Sequence, residues 1–420
     1  MSIKFAQIRE ACYKQIMDKL QPIRGMKDLF LADAAAQQHI INTCYNVAAK
    51  YNFHHAVTPI LEKTAVFSRT LGDSSDVVNK EMYSFEDKSG DNVTLRPEFT
   101  ASIARAFISE GLQQNVPLKC ISNGPLFRYE RPQKGRQRQF HQINCEWLGT
   151  AGPMADIEMI QMAWDMLNAL GINHVELQLN TLGDAATRQA HKAALVDYFE
   201  RFKQDLSADS QTRLQHNPLR ILDSKDAKDQ DIAKEAPLLL DYLTNEAALF
   251  WNQLQATLHD LNIPHTHNHQ IVRGLDYYTH TVFEFVGKSD DLGSQNTLLA
   301  GGRYDELIQQ MGGPPTPAIG FAMGIERLAL MLNECAIKAP HAVIIPIGDT
   351  MTACLKLATK LRAATQHVEL IHGGGNLGKK LKKADKLNAE YAYIMGEDEL
   401  ANNHVIKRHL ATGAQEEITL

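Results

Sequence analysis

The sequence predicts an α+β protein: an antiparallel sheet flanked by helices, interrupted by a helical insertion and followed by a small α/β domain. Three observations lead there. Between residues 81 and 149 apolar residues alternate in paired segments with turn residues between them, the period of half-buried strands. Residues 184–262 are polar and almost wholly helix-like. Beyond residue 340, strand-like and helix-like segments alternate to the end.

The elements follow in order. The first 20 residues place Ile3, Phe5, Ile8, Cys12, Ile16 and Leu20 at helical spacing, so they read as an amphipathic N-terminal extension. Glu10 and Asp18 interrupt any apolar core, so this is not a secretory signal, and its mixed charges disfavour a membrane-surface helix. Residues 31–52 are Ala-rich and helical. Lys88-Ser-Gly-Asp is the turn of a hairpin, residues 100–112 are helical, and residues 119–130 and 138–149 are two long strands joined by a basic loop. A helix follows over 155–170, then a strand from Val175. Strand signals return at 270–273 and 281–286, before a Gly-rich strand-to-helix passage from Ala300 to Leu332. The expected domains are 1–20, 21–338 with the insertion at about 184–268, and 340–420.

Composition narrows the class. Of 420 residues, 44% are hydrophobic and 22% charged, a globular mix. Net charge is −6, so nucleic-acid contact must come from local patches. Cys12, Cys44, Cys120, Cys145, Cys335 and Cys354 lie far apart with no C-x-x-C pair, which suits a reducing cytoplasm and argues against thiolate zinc. No apolar run is long enough to span a membrane.

Two local patterns invite over-reading. Gly373-Gly-Gly-Asn-Leu-Gly378-Lys379 fits a phosphate-binding P-loop, but Lys380 stands where Ser or Thr must hold magnesium. The plainer reading is a turn followed by a basic helix face of Lys379, Lys380, Lys382, Lys383 and Lys386, either solvated or gripping nucleic-acid phosphates. His265, His267 and His269 would share one face of a strand, but no carboxylate or cysteine sits beside them at zinc-ligand spacing.

The chemistry concentrates elsewhere. Arg128, Arg131, Lys134, Arg136 and Arg138 surround the single carboxylate Glu130, and Phe140 stands at the loop's exit. Guanidinium groups match phosphate geometry and an aromatic ring can stack on a base, so the loop suits a nucleotide. Around it lie Thr94-Leu-Arg-Pro-Glu98-Phe-Thr100, Arg273-Gly-Leu-Asp-Tyr277-Tyr278, Gly302-Arg-Tyr304-Asp and Gly324-Ile-Glu-Arg327. Together with Phe127-Arg-Tyr-Glu-Arg-Pro-Gln-Lys-Gly-Arg and Arg138-Gln-Phe-His-Gln142, these strings resemble the class II aminoacyl-tRNA synthetases, specifically the histidyl-tRNA synthetases of bacterial type.

That resemblance implies a class II sheet, an α/β anticodon-binding domain, and a homodimer built around Pro59. It implies ATP, L-histidine and tRNA(His) as substrates, with Mg2+ carried by the ATP and no dedicated metal site. By resemblance, Arg128 and Arg273 flank the α-phosphate as the catalytic pair. Glu130 reads the adenine amino group, Arg136 takes the γ-phosphate, and Phe140 and Arg327 sandwich the adenine. Glu98, Thr100 and Gln142 hold the substrate amino group. Glu146 and Tyr278 bond the imidazole, and Tyr277 and Tyr304 line its site. Gln133 and Lys134 lie near the acceptor end of the tRNA, and Lys379, Lys382 and Lys383 supply basic contacts for the distal end. The rival within the fold, a regulatory subunit of ATP phosphoribosyltransferase, lacks an anticodon domain. Phe99 departs from the family pattern, which has glycine there. A family member often closes with a C-terminal helix, and none is expected after Glu416.

Overall fold

The strands Leu118–Phe127 and Gln139–Leu148 pair antiparallel along their whole length, Leu118 opposite Leu148 and Phe127 opposite Gln139. On the second strand, Ile143, Cys145 and Trp147 enter the main hydrophobic core. The alternate residues Phe140, Gln142, Asn144 and Glu146 therefore point to the other face. This two-residue period decides which side chains reach the functional cavity.

The computed structural model describes residues 20–70, 77–222, 224–271, 277–288, 292, 296–332, 339–364 and 366–420. It divides into two compact units, Met1–Cys335 and Ala336–Leu420. In the first, Ala318–Gly324, Thr297–Arg303, Thr279–Gly287 and Val175–Thr181 extend the central pair into an antiparallel sheet. The short edge strands His54–His55 and His265–His267 run parallel to their neighbours. Parallel pairing needs a long crossover connection, which both edges have. The edge strand at 265–267 lies just before the segment 270–273 where a strand is expected; residues 272–276, Arg273 among them, lie outside the described residues.

Helices Leu31–Lys50, Pro153–Ala169, Asn245–Asp260 and Ile325–Met331 supply one apolar layer, with Ile40, Met162, Leu254 and Leu328 in one core. On the opposite face, the helix Thr100–Ser109 packs Ile103 and Phe107 with Phe67, Leu307 and Ile308. A small sheet of Leu61–Lys63, Asn92–Leu95 and Tyr83–Glu86 contains the expected hairpin.

The helical insertion has its own core of Leu195, Phe199, Leu206, Leu214, Ile221 and Ala236. The helix Asn245–Asp260 lies outside it: Trp251, Leu254 and Leu258 join the main core. A helical stripe looks the same whichever core it faces, so the 3.6-residue period could not divide the polar tract.

In the second unit, Val368–Leu370, Ala342–Pro346 and Tyr391–Met395 are parallel, and His404–His409 and Gln415–Thr419 complete the sheet antiparallel. Asn376 caps the helix Leu377–Lys386 by accepting from the Lys379 amide at 3.0 Å. The lysine run does not form one exposed face. Lys380 is buried and its Nζ donates to the Pro346 carbonyl at 2.6 Å. Lys379, Lys382, Lys383 and Lys386 are exposed.

Phe199→Ala should cost roughly 3–5 kcal/mol. Hydrogen exchange should speed in the helices Ala185–Glu200 and Ala208–His216 while the strand Gln139–Leu148 keeps its protection. Equal loss in both places would mean that the insertion has no separate core.

Candidate active site

A cavity of about 360 Å³ opens on the polar face of the Gln139–Leu148 strand. Phe140, Gln142 and Asn144 line it from that strand, and Tyr277, Tyr278 and Tyr304 from across the sheet. Its two ends have opposite chemistry.

At one end Glu146 is fully buried beneath the cavity floor. One carboxylate oxygen accepts from the Thr100 hydroxyl at 2.5 Å and from the Asn144 amide at 2.9 Å; the other accepts from the Tyr304 hydroxyl. Burial raises its pKa to about 7, against the pull of these donors. The close approach depends on Gly320, where a Cβ would stand 1.6 Å from the Glu146 carboxylate. Thr100, Asn144, Tyr304 and Gly320 line the cavity around the buried Glu146 carboxylate.

Glu98 stands beside this network. Its oxygens accept from the amides of Thr100 at 2.6 Å and Ala101 at 2.7 Å, two of the donors left open at the start of the helix Thr100–Ser109. Burial pushes its pKa up. Between Glu98 and Thr100, Phe99 has φ −96°, a conformation open to any residue. Its ring is buried with the Arg96 guanidinium 4.3 Å from the ring centre, yet it also borders the cavity. Phenylalanine in place of the family's glycine is therefore accommodated without backbone strain. Tyr277 and Tyr278 are packed with ring centres 4.6 Å apart, and Tyr277 meets Tyr304 edge-on at 5.7 Å. Gly302 makes room for Tyr278, whose ring a Cβ there would meet at 2.8 Å.

The other end is cationic. Arg128, Arg136 and Arg327 face the cavity together. Arg128 donates to the Pro97 carbonyl at 3.0 Å, and its guanidinium lies 5.5 Å from the Phe140 ring centre. Arg327 donates to the Thr297 carbonyl at 2.6 Å and the Gly135 carbonyl at 3.3 Å. Burial lowers the Arg327 pKa first, with Arg136 and Arg128 adding repulsion. Three confined cations make a ready seat for a polyanion. Glu130 and Arg136 are ion-paired with each other. The adenine and phosphate roles expected of these two residues therefore require the pair to open.

Gln133 and Lys134 lie exposed in a tight turn closed by Gln133 and Arg136 backbone hydrogen bonds of 3.0 and 2.9 Å. Lys379, Lys382 and Lys383 belong to the other unit. Arg273 is outside the described residues. Among the polar residues of the cavity, Gln137, Asn144, Glu284, Thr297 and Glu326 carried no expected role. Asn144 falls on the same two-residue period as Gln142 and Glu146, which was its available signal. Glu326 accepts from the His141 amide at 3.0 Å and approaches the His141 ring at 2.9 Å, tying the strand Gln139–Leu148 to the helix Ile325–Met331.

Among the described residues, no group of three or more His, Cys, Asp or Glu side chains could hold a metal. His265 meets the Ile263 carbonyl at 3.0 Å, and His267 meets the Asn180 side-chain oxygen at 3.1 Å. Among the described residues no helix is long and apolar enough to cross a membrane.

The histidyl-tRNA synthetase family matches residues 25–328, and an anticodon binding domain matches residues 341–420. The histidine–tRNA ligase of Rhodospirillum rubrum is 49% identical over 407 residues, covering 96% of this chain and 97% of that protein. That of Gluconacetobacter diazotrophicus is 48% identical over 406 residues, with the same coverage. The crystal structure of apo S. aureus histidyl-tRNA synthetase aligns with a TM-score of 0.81 at 33% identity, covering 96% of this chain and 97% of that one. With one family spanning most of the chain and close relatives spanning nearly all of it, the chain belongs to the histidyl-tRNA synthetases.

Proposed function

We propose that this protein joins L-histidine to tRNA(His) at the expense of ATP. The observation that carries this reading is one cavity with a buried carboxylate network at one end and three guanidinium groups at the other. In the first step a histidine carboxylate oxygen bonds to the α-phosphorus of ATP, the bond from that phosphorus to the bridging oxygen breaks, and pyrophosphate leaves. The nucleophile is already ionised, so no protein base is required. Negative charge grows on the α-phosphate oxygens, where a fixed guanidinium stabilises it without reorganising. Arg128 holds this position through the Pro97 carbonyl. Arg273 is assigned the opposite side on its place in the Arg-Gly-Leu-Asp-Tyr-Tyr string. In the second step a terminal ribose hydroxyl of the tRNA attacks the histidyl carbonyl and AMP leaves.

ATP binding draws Arg136 from Glu130 to the γ-phosphate and frees Glu130 for the adenine amino group. Phe140 and Arg327 take the two faces of the base, Arg serving better than Lys because its plane stacks. Mg2+ enters as part of the substrate MgATP. Glu98, Thr100 and Gln142 receive the histidine amino group. Glu146 and Tyr278 meet the imidazole, with Tyr277 and Tyr304 as walls. A pocket built to hydrogen-bond a ring leaves its own groups unpaired with an apolar isostere, which gives discrimination of about 10⁴-fold without editing.

Homodimerisation uses the segment around Pro59, where Val57, Ile60, Leu61 and Phe85 leave apolar surface exposed. Gln133 and Lys134 meet the acceptor end of the tRNA, and Lys379, Lys382 and Lys383 its distal end. The four described cysteines are free thiols, in keeping with a reducing cytoplasm.

Pyrophosphate exchange with each amino acid in turn tests the reaction: histidine alone should support it, and exchange with another amino acid would overturn the assignment. Gly320→Ala should raise the histidine KM at least tenfold with little change in the ATP KM, since its Cβ would enter the Glu146 carboxylate. Equal changes in both would mean that the network does not belong to the histidine end.

A chain ending near residue 338 should keep exchange if the dimer survives, but lose most tRNA charging. Charge reversal of Lys379, Lys382 and Lys383 in the full chain should weaken tRNA binding and reduce its salt slope by roughly one unit for each phosphate left without its lysine. A wild-type slope and affinity would make these lysines a solvated surface.

A further inference from the structure

We infer that Arg188, in the helical insertion, is a positioning residue for the aromatic wall of the histidine pocket. The inference rests on the histidine-activating function proposed above. Arg188 lies on the first insertion helix, Ala185–Glu200, and does not line the cavity. One guanidinium nitrogen donates to the Tyr278 carbonyl at 2.8 Å, and another to the Glu306 carboxylate at 2.9 Å. Tyr278 lines the cavity, and Glu306 follows Tyr304, the donor to Glu146, by two residues. One planar cation thus spans the two segments that carry the pocket's tyrosines.

The root of the insertion grips the same place independently. The His280 amide donates to the Gly183 carbonyl at 2.9 Å, and the Leu182 amide donates to the His280 carbonyl at 2.7 Å. The His280 ring stacks on Phe250 at 4.6 Å between ring centres, and Phe250 belongs to the helix that leads out of the insertion. His280 has φ 45°, a left-handed conformation that a histidine adopts only when its surroundings hold it there. Asp184, which begins the insertion helix, accepts from the Thr187 amide at 2.8 Å and also from the Thr244 hydroxyl, so both ends of the insertion are tied at one point. Movement of the first insertion helix is therefore transmitted to Tyr278 and, through Glu306, to Tyr304.

The half-buried setting of Arg188 makes it replaceable without opening a core cavity. A lysine can occupy one of the two acceptors but cannot bridge both with a rigid fork.

Steady-state pyrophosphate exchange on the full-length protein, with histidine and ATP varied separately, tests the assignment. Arg188→Ala should raise the histidine KM about tenfold, the worth of two modest hydrogen bonds, and leave the ATP KM within about twofold. Arg188→Lys should recover part of the loss. Glu306→Gln, which keeps the Tyr278 bond, should show a smaller rise, and the melting temperature of each variant should stay close to wild type. An unchanged histidine KM in Arg188→Ala overturns the inference, as does a parallel rise in both KM values with a lowered melting temperature. Histidine-dependent exchange by the wild type, run alongside, separates failure of this inference from failure of the reaction itself.

Discussion

The Glu146 carboxylate, held in a fully buried position by three neutral donors, is the constraint around which one end of the cavity is arranged. Burying a charge costs more than three hydrogen bonds return, and its raised pKa expresses that balance. Each donor arrives from a different element: Thr100 from a helix start, Asn144 from the same strand, Tyr304 from the end of the Thr297–Arg303 strand. The antiparallel register brings Gly320 opposite Glu146, where a Cβ would collide with the carboxylate. Sheet register and pocket chemistry are thus one requirement.

Tyr304 is fixed from behind by a second buried pair. Arg303 and Asp156 are both fully buried, and Arg303 also donates to the Thr150 carbonyl at 3.1 Å, the Gly152 carbonyl at 2.9 Å and Asp305 at 2.9 Å. A buried ion pair adds little net stability, but losing one partner strands the other, so the pair fixes geometry more than it adds free energy. The cationic end of the cavity works on the opposite principle. Its three guanidinium groups are held by carbonyls and one carboxylate while repelling one another, which leaves a concentrated positive charge facing the cavity.

Much of this was legible in the residues themselves. Residues 138–149 read as a strand, the resemblance singled out Phe140, Gln142 and Glu146 on it, and each of the four strings around it contributes described residues to the cavity. The limits were equally physical. Local sequence could not show that Glu130 and Arg136 pair with each other, because that depends on how the loop folds back. Lys380 carries the same charge as its neighbours, and only the burial of Ala384 on the same side reveals that it points inward. The insertion was overextended because amphipathic helices look alike whichever core they serve. Phe99 departs from the family's glycine, and its ordinary φ means that the backbone here does not call for one.

The central claim is that desolvation dominates at Glu146, so that the ligand-free protein holds a proton there which an unfolded chain has already released. Since the folded-state pKa is raised, the stability linked to this group falls as pH rises from about 4.5 to about 7 and is constant above that. Difference infrared titration of the carboxyl band, wild type against Glu146→Gln, reads this ionisation directly. The account predicts a protonated-carboxyl signal, absent from the variant, that disappears with a midpoint near 7. A Glu146-dependent midpoint near the ordinary 4.5 would contradict it, and would mean that the three donors outweigh burial.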